Sequence, residues 1–175
     1  NGGGCMSHTM LEDVARLKTE FPERFHFILS NHELAEFTDF PIVKSRQMLN
    51  LTFRSGLERA YGEAMHRVRE AYLGFLASLP LAVRLGRRVF ISHSLPAECD
   101  TRPFDVEVLQ RELTFDDLFQ DGEVFRLVGG RDYRPDNAAA FIQQIDAELL
   151  VTGHEPCPDG SQAPNPWQVI IDCCC

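Results

Sequence analysis

The chain has 175 residues, of which 44% are hydrophobic and 25% are charged, and its formal net charge is −9. This composition is typical of a globular protein with a sizeable core, so we expect one domain over residues 1–175. The acidic balance disfavours a nucleic-acid partner, which needs a basic stripe to neutralise phosphates. No apolar run is long enough to span a membrane, so we expect no membrane partner. A phosphorylated substrate stays open, because bound metal cations reverse the local field of an acidic protein.

Apolar spacing predicts the elements of the first half of the chain. A helix over about residues 10–21 ends at Pro22, and a short aromatic run over residues 25–29 predicts a buried strand. Residues 45–79 carry apolar side chains at helical spacing.

Strands and helices alternate in the second half. Strands are predicted over residues 87–92, 147–152 and 167–172, and helices over 105–113, about 116–119 and 137–146, with a loop over 131–137. Such alternation predicts an α/β fold in which helices pack on a sheet.

Six cysteines are present, but their spacing does not fit a zinc site. No C-x-x-C pair occurs, and three of the six are Cys173, Cys174 and Cys175. Cys99 and Arg102 are too close together to form the phosphate cradle of a cysteine phosphatase. We therefore expect reduced thiols and a cytoplasmic location; the role of the three final cysteines stays open.

Three predicted strands each end in a small residue followed by a metal-type side chain, namely Asn31, His93 and His154. A single histidine after a strand is more often a turn residue than a ligand. Three at equivalent positions have more weight, because functional groups collect beyond the carboxyl ends of strands in α/β sheets. His8, His26 and His66 lack this placement and are expected to be non-functional.

The same residues resemble motifs of the calcineurin-like metallophosphoesterases, in particular the branch of the serine/threonine protein phosphatases. Ser30-Asn-His-Glu33 is similar to the G-N-H-E motif of that family. Ile91-Ser-His-Ser-Leu-Pro96 resembles its later histidine block, and Thr152-Gly-His-Glu155 its closing G-H block. The resemblance spans about residues 10–172 and implies the calcineurin-like sandwich, in which sheets are flanked by helices.

Two opening blocks of the family, G-D-x-H and G-D-x-x-D-R-G, do not occur in the 175 residues. We therefore expect a domain truncated at its N-terminus. Ser30 and Ser94 stand where the family has glycine, and serine is small enough to preserve both turns.

The resemblance implies a two-metal site of which this chain carries one half. Asn31, His93 and His154 match the ligands of the second metal, and nitrogen and amide-oxygen donors suit manganese, iron or zinc. His32 matches the general acid that protonates the leaving group.

Phosphate also needs a fork-shaped cation, for which Arg131 and Arg134 are the candidates by resemblance. The alternative is an ordinary solvent-exposed charged loop, and Arg131 is the preferred of the two.

The expected function is hydrolysis of a phosphomonoester on a protein or a small molecule. This fragment alone should hydrolyse p-nitrophenyl phosphate poorly or not at all. The alternative is a catalytically inactive phosphate-binding or interaction domain of the same fold. The substrate, the metals and the oligomeric state stay open.

Overall fold

The computed structural model describes residues 6–44 and 46–172, and the chain divides into two compact units. The helical unit comprises residues up to Phe27 together with His32–Pro80. The sheet unit comprises Ile28–Asn31 and the chain from Leu81 onward. The single-domain organisation over residues 1–175 stays a prediction.

The helical unit contains three long helices, a shorter one and a small hairpin. The elements are α1 (Ser7–Glu20), α2 (Asn31–Thr38, whose first residue belongs to the sheet unit), the antiparallel strands β1 (Val43–Lys44) and β2 (Gln47–Met48), α3 (Leu49–Tyr61), a 3-10 turn (Gly62–Ala64) and α4 (Met65–Ala77). The predicted helical stretch over 45–79 is therefore interrupted at Gly62, which has a φ of +51° that favours glycine.

Polar contacts join the helices of this unit. The buried carboxylate of Glu36 accepts hydrogen bonds from Arg54 at 3.0 Å and Arg69 at 2.6 Å. The hydroxyl groups of Tyr61 and Tyr72 both donate to Glu12. A buried carboxylate requires such partners because desolvation alone would disfavour its charged form.

The sheet unit is built on a mixed sheet of five strands. They are β3 (Ala82–Leu85), β4 (Val89–Ser92), β5 (Leu149–Thr152), β6 (Ser161–Asn165) and β7 (Gln168–Ile171), in the order β3-β4-β5-β7-β6. The three central strands are parallel, and the two edge strands pair antiparallel to their neighbours. The helices of this unit are α5 (Phe115–Leu118), α6 (Glu123–Gly129) and α7 (Pro135–Gln144), with a 3-10 turn over Val106–Leu109. This architecture confirms the predicted α/β class.

Aromatic packing fixes α7 against the sheet. Phe141 is fully buried and lies edge-on to Phe90, with ring centroids 5.8 Å apart, and to Phe104, at 5.4 Å. Arg84 on the edge strand β3 donates to the backbone carbonyl groups of Ile145 and Asp146, just beyond the end of α7. These contacts satisfy carbonyl groups that a helix end leaves unpaired.

Two predicted elements are wrong. Residues 25–29 form no strand, because a strand requires a neighbour for pairing and these residues join no ladder in the described chain. Of the helix predicted over 105–113, only the 3-10 turn Val106–Leu109 forms, and Arg111 beyond this turn binds the carboxylate of Asp117 at 2.6 and 2.7 Å. Asp117 in turn completes the capping box of α5 with Thr114.

No helix in the described part of the chain is long and apolar enough to cross a membrane.

Cys99 and Cys157 are buried free thiols, and burial raises the pKa of the Cys99 thiol to about 12. The other four cysteines lie outside the described residues.

Replacing Phe141 with alanine tests the packing of the sheet unit. We expect Phe141→Ala to lower the free energy of unfolding by about 3–5 kcal/mol, because it leaves a cavity between α7 and the sheet. Phe115→Ala, at a position that is 70% exposed, is the matched control and should cost much less. Urea unfolding followed by circular dichroism measures both; equal losses would contradict the packing described.

Candidate metal centre

The carboxyl ends of β4 and β5 lie side by side. The two strands are parallel, with Ile91 opposite Val151, and the backbone N–H of Gly153 donates to the carbonyl of His93 at 3.0 Å. This hydrogen bond continues the pairing one step beyond the strands. His93 and His154 therefore emerge at the same edge of the sheet, as their strand-end placement predicts.

Both histidines leave their strands through constrained turns. The hydroxyl of Ser92 donates to the carbonyl of Ser94 at 2.7 Å, which closes the turn around His93. His154 has a φ of 71°, a left-handed conformation that is uncommon outside glycine. Backbone conformations of this kind concentrate at functional sites, where the surrounding structure holds them in place.

Three donor atoms converge at this edge. The Nε2 atom of His93 lies 2.9 Å from the Oδ1 atom of Asn31 and 2.9 Å from the Nδ1 atom of His154. The distance between Asn31 Oδ1 and His154 Nδ1 therefore cannot exceed the sum of these two distances. The imidazole rings meet edge to face, with centroids 4.9 Å apart, and all three side chains are half-buried.

A hydrogen-bond network accounts poorly for this arrangement. In the plane of its ring, the Nε2 atom of His93 has either one proton or one lone pair. It therefore makes one strong hydrogen bond, yet two polar atoms lie at 2.9 Å from it. A cation placed among the three atoms would accept a lone pair from each of them.

The donor set fits a transition metal. Metal-to-donor distances of about 2.1 Å give neighbouring octahedral ligands a separation of about 3.0 Å, close to the two contacts observed. Two imidazole nitrogens and an amide oxygen suit manganese, iron or zinc. Within residues 6–44 and 46–172, no group of three or more His, Cys, Asp or Glu side chains could hold a metal ion. A metal bound by His93 and His154 at this edge would therefore need the amide oxygen of Asn31 as its third protein ligand.

His32 follows Asn31 in α2 and is exposed, but it belongs to the helical unit. Its predicted role as a general acid stays a prediction.

Arg134 is fully engaged with two carboxylates. Its guanidinium contacts Asp100 at 3.0 and 3.1 Å and Asp132 at 2.7 and 2.8 Å. The hydrogen bond from Arg134 lowers the pKa of Asp100. Burial opposes ionisation of Asp132, but Arg134 and the backbone N–H of Glu98 outweigh it and lower that pKa as well. These contacts give Arg134 a structural role, so it is the weaker candidate for a phosphate-binding residue.

Arg131 lies beside the end of β4. The hydroxyl of Ser94 donates to the carbonyl of Gly130, and Arg131 forms a parallel bridge with Leu95. Gly130 is required at this point, because an added Cβ would lie 2.0 Å from the Leu95 carbonyl oxygen. The guanidinium of Arg131 pairs with Glu155, the residue after His154.

A buried polar network supports the same loop. Gln168 on β7 donates to the hydroxyl of Thr152 at 3.0 Å and accepts from Asn165 at 3.0 Å. Asn165 also donates to the carbonyl of Tyr133 at 3.2 Å, which connects the loop to β6 and β7. Burial, reinforced by the carboxylate of Glu155, raises the pKa of the Tyr133 phenol.

Sequence reasoning assigned no role to Glu155. The position of this carboxylate directly after the last histidine, in a chain with two arginines in a nearby loop, is the sequence signal that could have indicated an ion pair at the site. Its partner could not be chosen from sequence, because several arginines are equally plausible.

Comparison with known proteins supports the fold. No family model matches the chain, and no curated protein matches it. A solved structure of a protein serine/threonine phosphatase from Saccharomyces cerevisiae, with similarity to human phosphatase PP5, matches with a TM-score of 0.68 and 16% sequence identity. The match covers 96% of this chain and 53% of that chain, so this chain spans about half the length of that structure. The chain therefore shares the fold of the matching part of that structure, which agrees with the predicted fold.

Removing one of the three donors should abolish tight metal binding. We expect His154→Ala to weaken Zn²⁺ or Mn²⁺ affinity at least tenfold, because loss even of a residue that only supports a ligand typically costs about 10–100-fold. His66→Ala, on an exposed face of α4, is the matched control and should bind metal normally. Isothermal titration calorimetry measures both affinities. Unchanged binding by His154→Ala would contradict the assignment of this residue as a ligand.

Proposed function

We propose that this chain carries one half of the two-metal site of a calcineurin-like phosphoesterase that hydrolyses phosphomonoesters. One observation supports the proposal above all others. At the carboxyl edge of a sheet, the Nε2 atom of His93 lies 2.9 Å from both the amide oxygen of Asn31 and the Nδ1 atom of His154. That sheet belongs to a chain whose fold is similar to that of a solved serine/threonine phosphatase.

In this proposal Asn31, His93 and His154 hold a divalent metal ion, of manganese, iron or zinc. When bound, the metal polarises phosphate oxygens and lowers the pKa of coordinated water. The protein contributes a rigid donor set, because His93 and His154 are joined through the backbone hydrogen bond at Gly153. Fixed donors lower the cost of ordering the site when metal and substrate bind.

Arg131 and His32 supply the remaining functions in the proposal. Arg131 presents parallel N–H groups to two oxygens of the phosphoryl group of a phosphorylated protein or small molecule. His32 gives its proton to the departing alkoxide, a role that suits an imidazole near neutral pH.

The second metal of a pair would need ligands from outside these 175 residues, because neither G-D-x-H nor G-D-x-x-D-R-G occurs in them. The second candidate function is a catalytically inactive phosphate-binding or interaction domain of the same fold, which follows if the whole protein lacks both opening blocks. A cytoplasmic location stays a prediction.

Removal of the general acid and removal of a metal ligand should have different effects on metal content and turnover. In a protein that joins this chain to both opening blocks, His154→Ala should lower metal content and turnover together. His32→Ala should keep the metal and lower turnover by about 10²–10⁴-fold, the usual contribution of a positioned general acid. The loss should be smaller on p-nitrophenyl phosphate than on an alkyl phosphate, because a good leaving group needs little protonation.

Metal analysis and steady-state rates on both substrates test this proposal, with the 175-residue chain as the control of low expected activity. If His32→Ala loses metal as fully as His154→Ala, His32 is a ligand and not the acid. Robust metal-dependent turnover by the 175-residue chain itself would contradict the half-site proposal. Absence of turnover despite both opening blocks and bound metal would favour the inactive domain.

A further inference from the structure

We propose that Glu155 is a positioning residue, which holds the guanidinium of Arg131 in the orientation that binds a phosphoryl group. The inference rests on the proposed function, since it deepens the role given to Arg131. Arg131 is the residue expected to touch the phosphate, and Glu155 acts through it.

The backbone of Arg131 is held firmly, whereas its side chain extends toward solvent. Ser94 binds the preceding carbonyl, Gly130 packs against Leu95, and Arg131 itself bridges to Leu95. The Arg131 side chain is nevertheless 58% exposed. Arginine has one of the largest rotamer entropies of any side chain, so a fixed backbone alone does not place its guanidinium.

Glu155 is the more buried member of the pair. Its side chain is only 20% exposed, and its backbone N–H donates to the carbonyl of Gly153 at 2.9 Å. The residue directly before it is His154, one of the three candidate metal ligands. The ion pair with Glu155 therefore holds the Arg131 guanidinium relative to the metal centre.

The contact leaves the phosphate-binding part of the guanidinium available. Glu155 accepts from Nη1 of Arg131, and this contact does not use Nε and Nη2. Parallel N–H groups on one edge of a guanidinium form the fork that matches two phosphate oxygens. Arg134 provides the contrast, because its Nε, Nη1 and Nη2 atoms all contact carboxylates.

Glu155 also brings a negative charge close to the expected phosphate. An anionic neighbour weakens anion binding whether or not it orients Arg131, so deletion of Glu155 alone would mix two effects. Glutamine and alanine remove the charge equally, but only glutamine keeps a carbonyl oxygen to accept from Arg131. Comparing these two variants isolates orientation from charge.

Binding of inorganic phosphate to the zinc-loaded chain, measured by ³¹P NMR at constant ionic strength, provides the test. We expect Glu155→Ala to bind phosphate about three- to tenfold more weakly than Glu155→Gln, because its arginine must be ordered on binding. In an Arg131→Ala background the two substitutions should give equal affinities, since Glu155 then has no guanidinium to position. Glu148→Ala and Glu148→Gln form the control pair, because Glu148 pairs with the exposed Arg88 elsewhere in the sheet unit. These two should not differ.

Equal affinity of Glu155→Ala and Glu155→Gln, or tighter binding by Glu155→Ala, would overturn the inference and leave Glu155 as a mere counter-charge. A difference that persists without Arg131 would also overturn it, since Glu155 would then act on phosphate by another route. Failure of the proposed function is distinguishable: Arg131→Ala would then bind phosphate as well as the unmodified chain. Circular dichroism of each variant verifies that the fold is retained.

Discussion

The parallel pairing of β4 with β5 is the constraint on which the candidate site depends. It brings two strand ends far apart in sequence to one edge, and the hydrogen bond from Gly153 to His93 sets their separation. A shift of β4 against β5 by one residue would turn the side chains of the shifted strand to the opposite face of the sheet and so separate the two histidines. The buried aromatic contacts of Phe141 with Phe90 and Phe104 oppose such a shift, because they lock α7 onto β4.

The two arginines of the neighbouring loop, Arg131 and Arg134, differ in their carboxylate partners. Arg134 is neutralised by two aspartates, and it contributes to the structure of the loop. Arg131 has one carboxylate partner and retains an exposed edge. Two residues of the same type, three positions apart, therefore suit different tasks because their counter-charges differ. This contrast supports Arg131 over Arg134 as the proposed phosphate ligand in a chain of net charge −9.

Sequence alone could predict the α/β class and the meeting of His93 with His154, because both follow short apolar strands that end in small residues. It could not predict the loss of the strand over 25–29, which depends on whether a neighbouring strand is available for pairing. The early end of the helix over 105–113 was not predictable either, because apolar spacing does not reveal that Arg111 binds the carboxylate of Asp117. Glu155 was missed because an ion pair across 24 residues has no local signature.

Whether Asn31, His93 and His154 share one metal ion is tested most directly by imidazole ¹⁵N NMR during titration of the chain with Zn²⁺. The structure predicts metal-induced shifts at two nitrogens of different type, Nε2 of His93 and Nδ1 of His154, saturating together at one equivalent of zinc. Substitution of Asn31 by alanine should weaken both responses in parallel. Shifts confined to His8, His26 or His66, or binding through the opposite ring nitrogens, would contradict the proposed metal centre.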